Sequence, residues 1–127
     1  MSHFTSPTAG IPGALAIEQL NDLVYVLDRQ LRFLYVNETA CRILGYARDE
    51  LLAAGAAVIG AEDLGPKNPV TGAIPGWSIG EHYVAETSLL SRGGRVIPVE
   101  ISVRVIEHAG DPVRVVVARD IGERKRL

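Results

Sequence analysis

Between residues 96 and 105 the chain alternates strictly: Ile97, Val99, Ile101, Val103 and Val105 interleave with Val96, Pro98, Glu100, Ser102 and Arg104. A period of two places the odd-numbered set on one face of a β-strand, and that face belongs to the core. Pro98 falls in the other set and has no N–H to give to a ladder. Before this strand stands "EHYVAETSLLSR", closed by Gly93-Gly94, and after it comes "DPVRVVVARD". Together they predict three antiparallel strands in a meander.

The first half carries two further β-branched and aromatic runs, "DLVYVLD" and "LRFLYVN", joined by the charged "DRQ" as a tight hairpin. Asn37 then offers an N-cap to "ETACRILG", whose Ala40, Ile43 and Leu44 share a face and whose Gly45 is a stop. "YARDELL" predicts a second short helical piece with Leu51 and Leu52 turned inward. From Ala53 to Gly80, glycine at 55, 60, 65, 72, 76 and 80 and proline at 66, 69 and 75 preclude a long regular element. Leu15, Ile17 and Leu20 allow two helical turns ahead of the first strand, whereas residues up to about Gly13 read as a tail. The pattern is an α+β domain in which a five-stranded antiparallel sheet is covered on one face by short helices and a loop. A pocket is expected between that cover and the sheet.

Composition narrows the function classes. A chain of 127 residues with 47 % hydrophobic content can bury a core as one domain. Its 13 basic and 15 acidic side chains are interspersed, with a net charge of -2. No field is present to gather nucleic acid or an anionic membrane surface. A single cysteine and the absence of a secretory pattern in "MSHFTSPTAGIPG" lead to the expectation of a cytoplasmic location. No catalytic set emerges, because the carboxylates are scattered over turns and helix starts, and "GPKNPVTG" lacks the ending of a phosphate loop. This domain alone is therefore not expected to be an enzyme.

The stretches "DLVYVLDRQLRFLYVNETACRILGYARDELL" and "SRGGRVIPVEISVRVIEHAGDPVRVVVARDIGERKR" resemble the two halves of a PAS sensor domain, in the same order of elements. The resemblance implies a tail and helix start over residues 1–17, a PAS domain over 18–122, and the start of a signalling helix over 123–127. It implies a cytosolic signal-transduction module that relays the state of a pocket to a C-terminal output domain, such as a histidine kinase of a two-component system or a diguanylate cyclase. "RDIGERK" resembles the hand-over to that helix, with Gly122 where the family usually has threonine. Asp120 takes the family's junction role, with Arg119 and Glu123 as its charged partners. Residues expected at the pocket are Ile43, Leu44, Leu64, Trp77, Tyr83, Ile101, Val103 and Val117. A homodimer through residues 14–21 and the exposed sheet face is expected. The alternative is a ligand-free dimerisation or protein-interaction module, although the small side chains of "AAGAAVIGAEDLG" leave room for an occupant.

The identity of a cofactor stays open, with flavin and haem both considered. Cys41 lacks the "GRNCRFLQ"-like setting of cysteinyl-flavin photosensors and reads as core packing on a helix. His82 is the weak candidate for a haem ligand, since His108 falls in a hairpin turn and His3 in the tail. Trp77 could stack on a flat ligand, or simply close the core beneath the loop.

Overall fold

The structure is a computed structural model that describes residues 21–60 and 76–122. In chain order the elements are β1 (Leu23–Leu27), β2 (Phe33–Val36), α1 (Glu38–Leu44), α2 (Arg48–Ala54), a 3-10 turn (Ala56–Ile59), β3 (His82–Leu90), β4 (Val96–His108) and β5 (Asp111–Asp120). The strands form one antiparallel sheet in the order β2-β1-β5-β4-β3, so the first and last strands pair side by side within it. The helical piece expected around Leu15–Leu20, the glycine- and proline-rich stretch holding Leu64, and residues 123–127 lie outside the described residues.

Local chemistry explains each boundary. In the β1–β2 turn the Asp28 carboxylate accepts from the Gln30 and Arg32 N–H groups, both at 2.9 Å, and from Arg32 Nε at 2.8 Å. Leu31 within it takes a left-handed φ of 62°. Its carbonyl accepts from Ala56 N–H at 2.9 Å, which fastens the turn to the 3-10 element. At the start of α1, Asn37 is fully buried and its Oδ1 accepts from Ala40 N–H at 2.9 Å and from Val24 N–H at 3.0 Å. Its Nδ2 donates to Asp22 O at 3.0 Å. One amide thus caps the helix and ties it to the interior strand β1. Gly45 ends α1 with a φ of 82°, a conformation that costs a non-glycine residue.

Core packing follows the strand parity. Leu23, Tyr25, Leu27, Ile97, Val99, Ile101, Val103, Val116 and Ala118 pack with Phe33, Ala40, Leu44, Leu51 and Ile59 on the helix side. Tyr25 and Phe33 meet edge to face, with centroids 5.6 Å apart. On the opposite side Val24, Val26, Tyr35 and Val113 form a second, smaller cluster. Of the two leucines expected inward in α2, Leu51 is buried while Leu52 points outward, because adjacent positions on a helix lie about 100° apart and cannot share a narrow face.

The β3–β4 hairpin is held to the helices by Arg92. Its N–H donates to Leu44 O at 2.8 Å, its guanidinium meets the Glu50 carboxylate at 2.8 and 2.9 Å, and it lies 5.4 Å from the centroid of Tyr46. The helical cover is thereby anchored at the end of the sheet farthest from Trp77.

Candidate functional site

Cross-strand register arranges the helix-side face in rows. Tyr83, Val103, Val116 and Tyr25 form one row across β3, β4, β5 and β1; Ala85, Ile101, Ala118 and Leu23 form the next. Ile43 and Leu44 of α1, and Trp77 ahead of β3, pack on the same cluster. Six of the residues expected at the pocket are therefore brought together: Ile43, Leu44, Trp77, Tyr83, Ile101 and Val103. Leu64 lies outside the described residues.

Val117 requires a correction. It pairs with Ser102 and Val24, belongs to the outer cluster, and lines a small open hollow of about 130 Å³ with Asp22, Val84, Glu100 and Arg119. Val116 holds the inward position. In the run Val115-Val116-Val117 both faces are apolar, so alternation carries no signal of which residue points inward.

His82 is likewise on the outer face. It is exposed, sits opposite Arg104, and places Nε2 3.4 Å from Ser102 Oγ. A side chain there cannot reach iron held against the helix-side face, so the haem-ligand reading of His82 is withdrawn. His108 ends β4 at the hairpin. Cys41 is partly buried and packs against the helix-side core.

The residue that sequence reasoning missed is Arg114. It sits between Val105 and Leu27 on the helix-side face, one row from Tyr83 and Tyr25, and is only 3 % exposed. Its Nη2 donates to Gly76 O at 2.8 Å, and its guanidinium carbon stands 4.2 Å from the Trp77 ring centroid, a cation–π arrangement. Glu81 turns its carboxylate to the N–H of the same Gly76, at 3.1 and 3.3 Å. The polar groups perturb one another. Burial pushes the Tyr25 phenol well above its usual range, with Tyr83 adding to the effect. Burial raises Tyr83 too, against the opposing pull of the Arg114 charge. Burial disfavours the Arg114 cation, which Tyr83 and Glu81 support. Arg114 shares the parity of Val116 and Ala118, a register that the apolar run Val115-Val116-Val117 leaves undetermined in the sequence and the strand pairing settles.

At the far end of β5 the chain turns. Asp120 Oδ1 accepts from Gly122 N–H at 2.8 Å, and Ile121 N–H donates to Pro98 O at 3.0 Å. Arg119, expected as a partner of Asp120, instead approaches Asp22 at 3.8 Å, because consecutive strand residues point to opposite faces. Glu123 lies outside the described residues.

The site thus lies on a five-stranded antiparallel sheet of order β2-β1-β5-β4-β3 that carries short helices over one face. The family described as the PAS fold matches residues 17–126, and the chain belongs to it. It is a PAS sensor domain of the kind found in signalling proteins. A PAS domain from a two-component sensor histidine kinase is similar at 27 % identity and a TM-score of 0.64, over 84 % of this chain and 90 % of that one. The PAS domain of an HTR-like protein from Haloarcula marismortui gives 26 %, a TM-score of 0.66, and coverage of 85 % and 91 %. A methyl sulfide methyltransferase-associated sensor from Methanosarcina acetivorans is 28 % identical over 120 residues, covering 86 % of this chain. The chain spans only 11 % of that relative's length.

Proposed function

We propose that this domain is the sensory module of a cytosolic signalling protein, taking a small ligand on the helix-side face and relaying its presence through β5 to a C-terminal output domain. One observation carries the reading: β5 presents Arg114, Val116 and Ala118 to that face and, with no intervening loop, ends in the Asp120–Gly122 turn. A ligand that prefers one setting of β5 biases the direction of the chain beyond it. Two-component relatives among the similar structures support an output of the histidine-kinase type.

The test pairs an absorption spectrum of the freshly purified protein with a denaturing mass spectrum, followed by hydrogen exchange with and without the released compound. A ligand that slows exchange in residues 112–122 is the expected result. An occupied domain whose β5 exchange does not respond would refute the relay.

A second reading, dimerisation without a ligand, is favoured by the outer face, where Val84 and Val96 are 57 % and 63 % exposed and Ile106 adds apolar surface. The same face serves as the homodimer surface in the first reading. Replacing Val84 and Val96 together by lysine is expected to halve the mass measured by light scattering. An unchanged dimer would move the interface elsewhere.

A further inference from the structure

We infer that the outer sheet face pairs with a second copy of this chain about a two-fold axis that crosses the strands at Ser102, so that Arg104 of each copy enters a hollow beside Glu100 of the other. The inference rests on the outer-face dimer proposed above and adds its register and the residues that set it.

Along the outer side of β4 the side chains of Pro98, Glu100, Ser102, Arg104 and Ile106 follow one another, while the odd-numbered set faces the core. This series is self-complementary about Ser102. An acid stands two positions before it and a base two positions after it, and beyond them lie Pro98 and Ile106, both apolar. A two-fold axis lying between two facing sheets and running across the strands exchanges residues at equal distances on either side of it. Placed at Ser102, the axis sets Glu100 against the partner's Arg104, Arg104 against the partner's Glu100, and Pro98 against the partner's Ile106. The neighbouring edge strand obeys the same symmetry, since Val84 pairs with Ser102, His82 with Arg104 and Glu86 with Glu100. Val84, more than half exposed, then meets its own copy. Val117 and Val24 continue the row of Ser102 through β5 and β1, so the axis follows an apolar band.

A shaped acceptor lies where this axis delivers the guanidinium. The hollow of about 130 Å³ is walled by the carboxylates of Asp22 and Glu100 and the Ser102 hydroxyl, with Val84 and Val117 beside them. The oxygens accept from an arginine head, and the valines pack on its stem. Arg119 in the same wall is turned to Asp22 at 3.8 Å. Arg104 is exposed in the single copy, and an arginine seated in a partner's pocket is a common anchor of an interface. Sheets packed face to face stand about 10 Å apart and are turned by about 30°. An arginine and a glutamate reaching toward each other span that gap, and the turn displaces residues little when they lie only two positions from the axis. Apolar area supplies the attraction and charge supplies the register. On valines alone a second copy could slide by two residues without penalty. An axis running along β4 would set Glu100 on the partner's Glu100 and Arg104 on the partner's Arg104, so the same two residues exclude that orientation.

Sedimentation velocity of the full chain over a range of concentrations measures the dimer. Glu100→Arg and Arg104→Glu are each expected to weaken it at least about tenfold, because either change brings like charges together twice. Mixed in equal amounts, the two variants are expected to regain the affinity of the unaltered chain as a heterodimer, one copy carrying both bases and the other both acids. Single variants that dimerise as the unaltered chain does, or a mixture that stays monomeric, would overturn the register. The outer-face reading then stands or falls separately, on whether lysine at Val84 and Val96 dissociates the dimer. An unaltered chain that is monomeric at every concentration would remove both the register and the face. If either reversal does not fold, position 102 decides in a Cys41→Ala chain. Ser102→Cys, on the axis, is expected to cross-link with a short bismaleimide, and Val96→Cys, far from it, is not. Cross-linking through Val96→Cys, or none through Ser102→Cys, would overturn the proposed axis.

Discussion

Replacing Asn37 by alanine should destabilise this domain more than any surface change of similar size. The side chain is fully buried, and its Oδ1 is shared by two main-chain donors, Ala40 N–H in the first turn of α1 and Val24 N–H in β1. Alanine leaves both without that acceptor in a place water does not reach, and each costs about 1–3 kcal/mol. Loss of the Nδ2 bond to Asp22 O adds a further, smaller penalty. The sum is about 4 kcal/mol, a large part of the roughly 5–15 kcal/mol that holds a domain folded. Serine keeps a short acceptor for the cap but does not reach Val24, so roughly half of the loss should remain. Aspartate keeps the acceptor and sets a carboxylate oxygen against Asp22 O, so its cost should shrink as the acid is protonated. Urea unfolding followed by circular dichroism, with the m-value checked for constancy, measures all three. A loss below about 1 kcal/mol for alanine, or serine matching the native chain, would refute the view that one amide joins helix and strand.

Three further outcomes follow from the same geometry. Gly45→Ala forces a Cβ into a left-handed position, 3.4 Å from Arg92 Cβ, and should cost about 1–2 kcal/mol in urea unfolding. The Glu50 carboxyl is held below its ordinary value of 4.5 by the Ala47 N–H first and by Arg92 second. Its contribution is complete above that value and is lost as pH falls through the lower folded value, so Glu50→Gln should flatten the acid limb of stability against pH. The Tyr25 and Tyr83 phenols are raised above their ordinary 10.0, so their neutral forms favour the folded state up to that pH and the contribution fades above it. Ultraviolet titration of the folded chain should show fewer than its four tyrosines ionising near pH 10, and Tyr25→Phe should remove one late step.

Most of the sheet was legible because β4 alternates cleanly and each turn carries its own chemistry, from Asp28 to Gly45. Strand order was implied by family resemblance rather than by any local signal, since nothing near Leu23 announces that it will pair with Ala118. The candidate site was legible where one face of a strand is polar, as for Tyr83, Ile101 and Val103. It was not legible where both faces are apolar, which is why Val117 was exchanged for Val116. His82, only a weak haem-ligand candidate, shows a related ambiguity. Nearness in sequence to the covering segment says nothing about which side of β3 a residue takes until Tyr83 and Ala85 are recognised as the inward pair. Arg114 was passed over because charge is ordinarily read as exposure, and a strand register strong enough to override that reading is visible only when its neighbours are fixed.

In the proposed relay, the position of β5 gives the domain its direction. A strand at the edge could shift alone, but β5 is bonded to β1 on one side and β4 on the other, so displacement at Arg114 must be taken up along its length. At its far end the constraint changes in kind. Asp120 holds Gly122 through a side chain and Ile121, which is buried, holds Pro98 through one main-chain bond. Asp22 adds a lateral reference, meeting Arg119 across the outer face while its carbonyl accepts from Asn37. The helical cover and the exit of the chain are therefore referred to the same residue at the start of β1. In the proposed relay, motion that enters at the cover is carried along β5, whose Val116 and Ala118 face the core, to the Asp120–Gly122 turn.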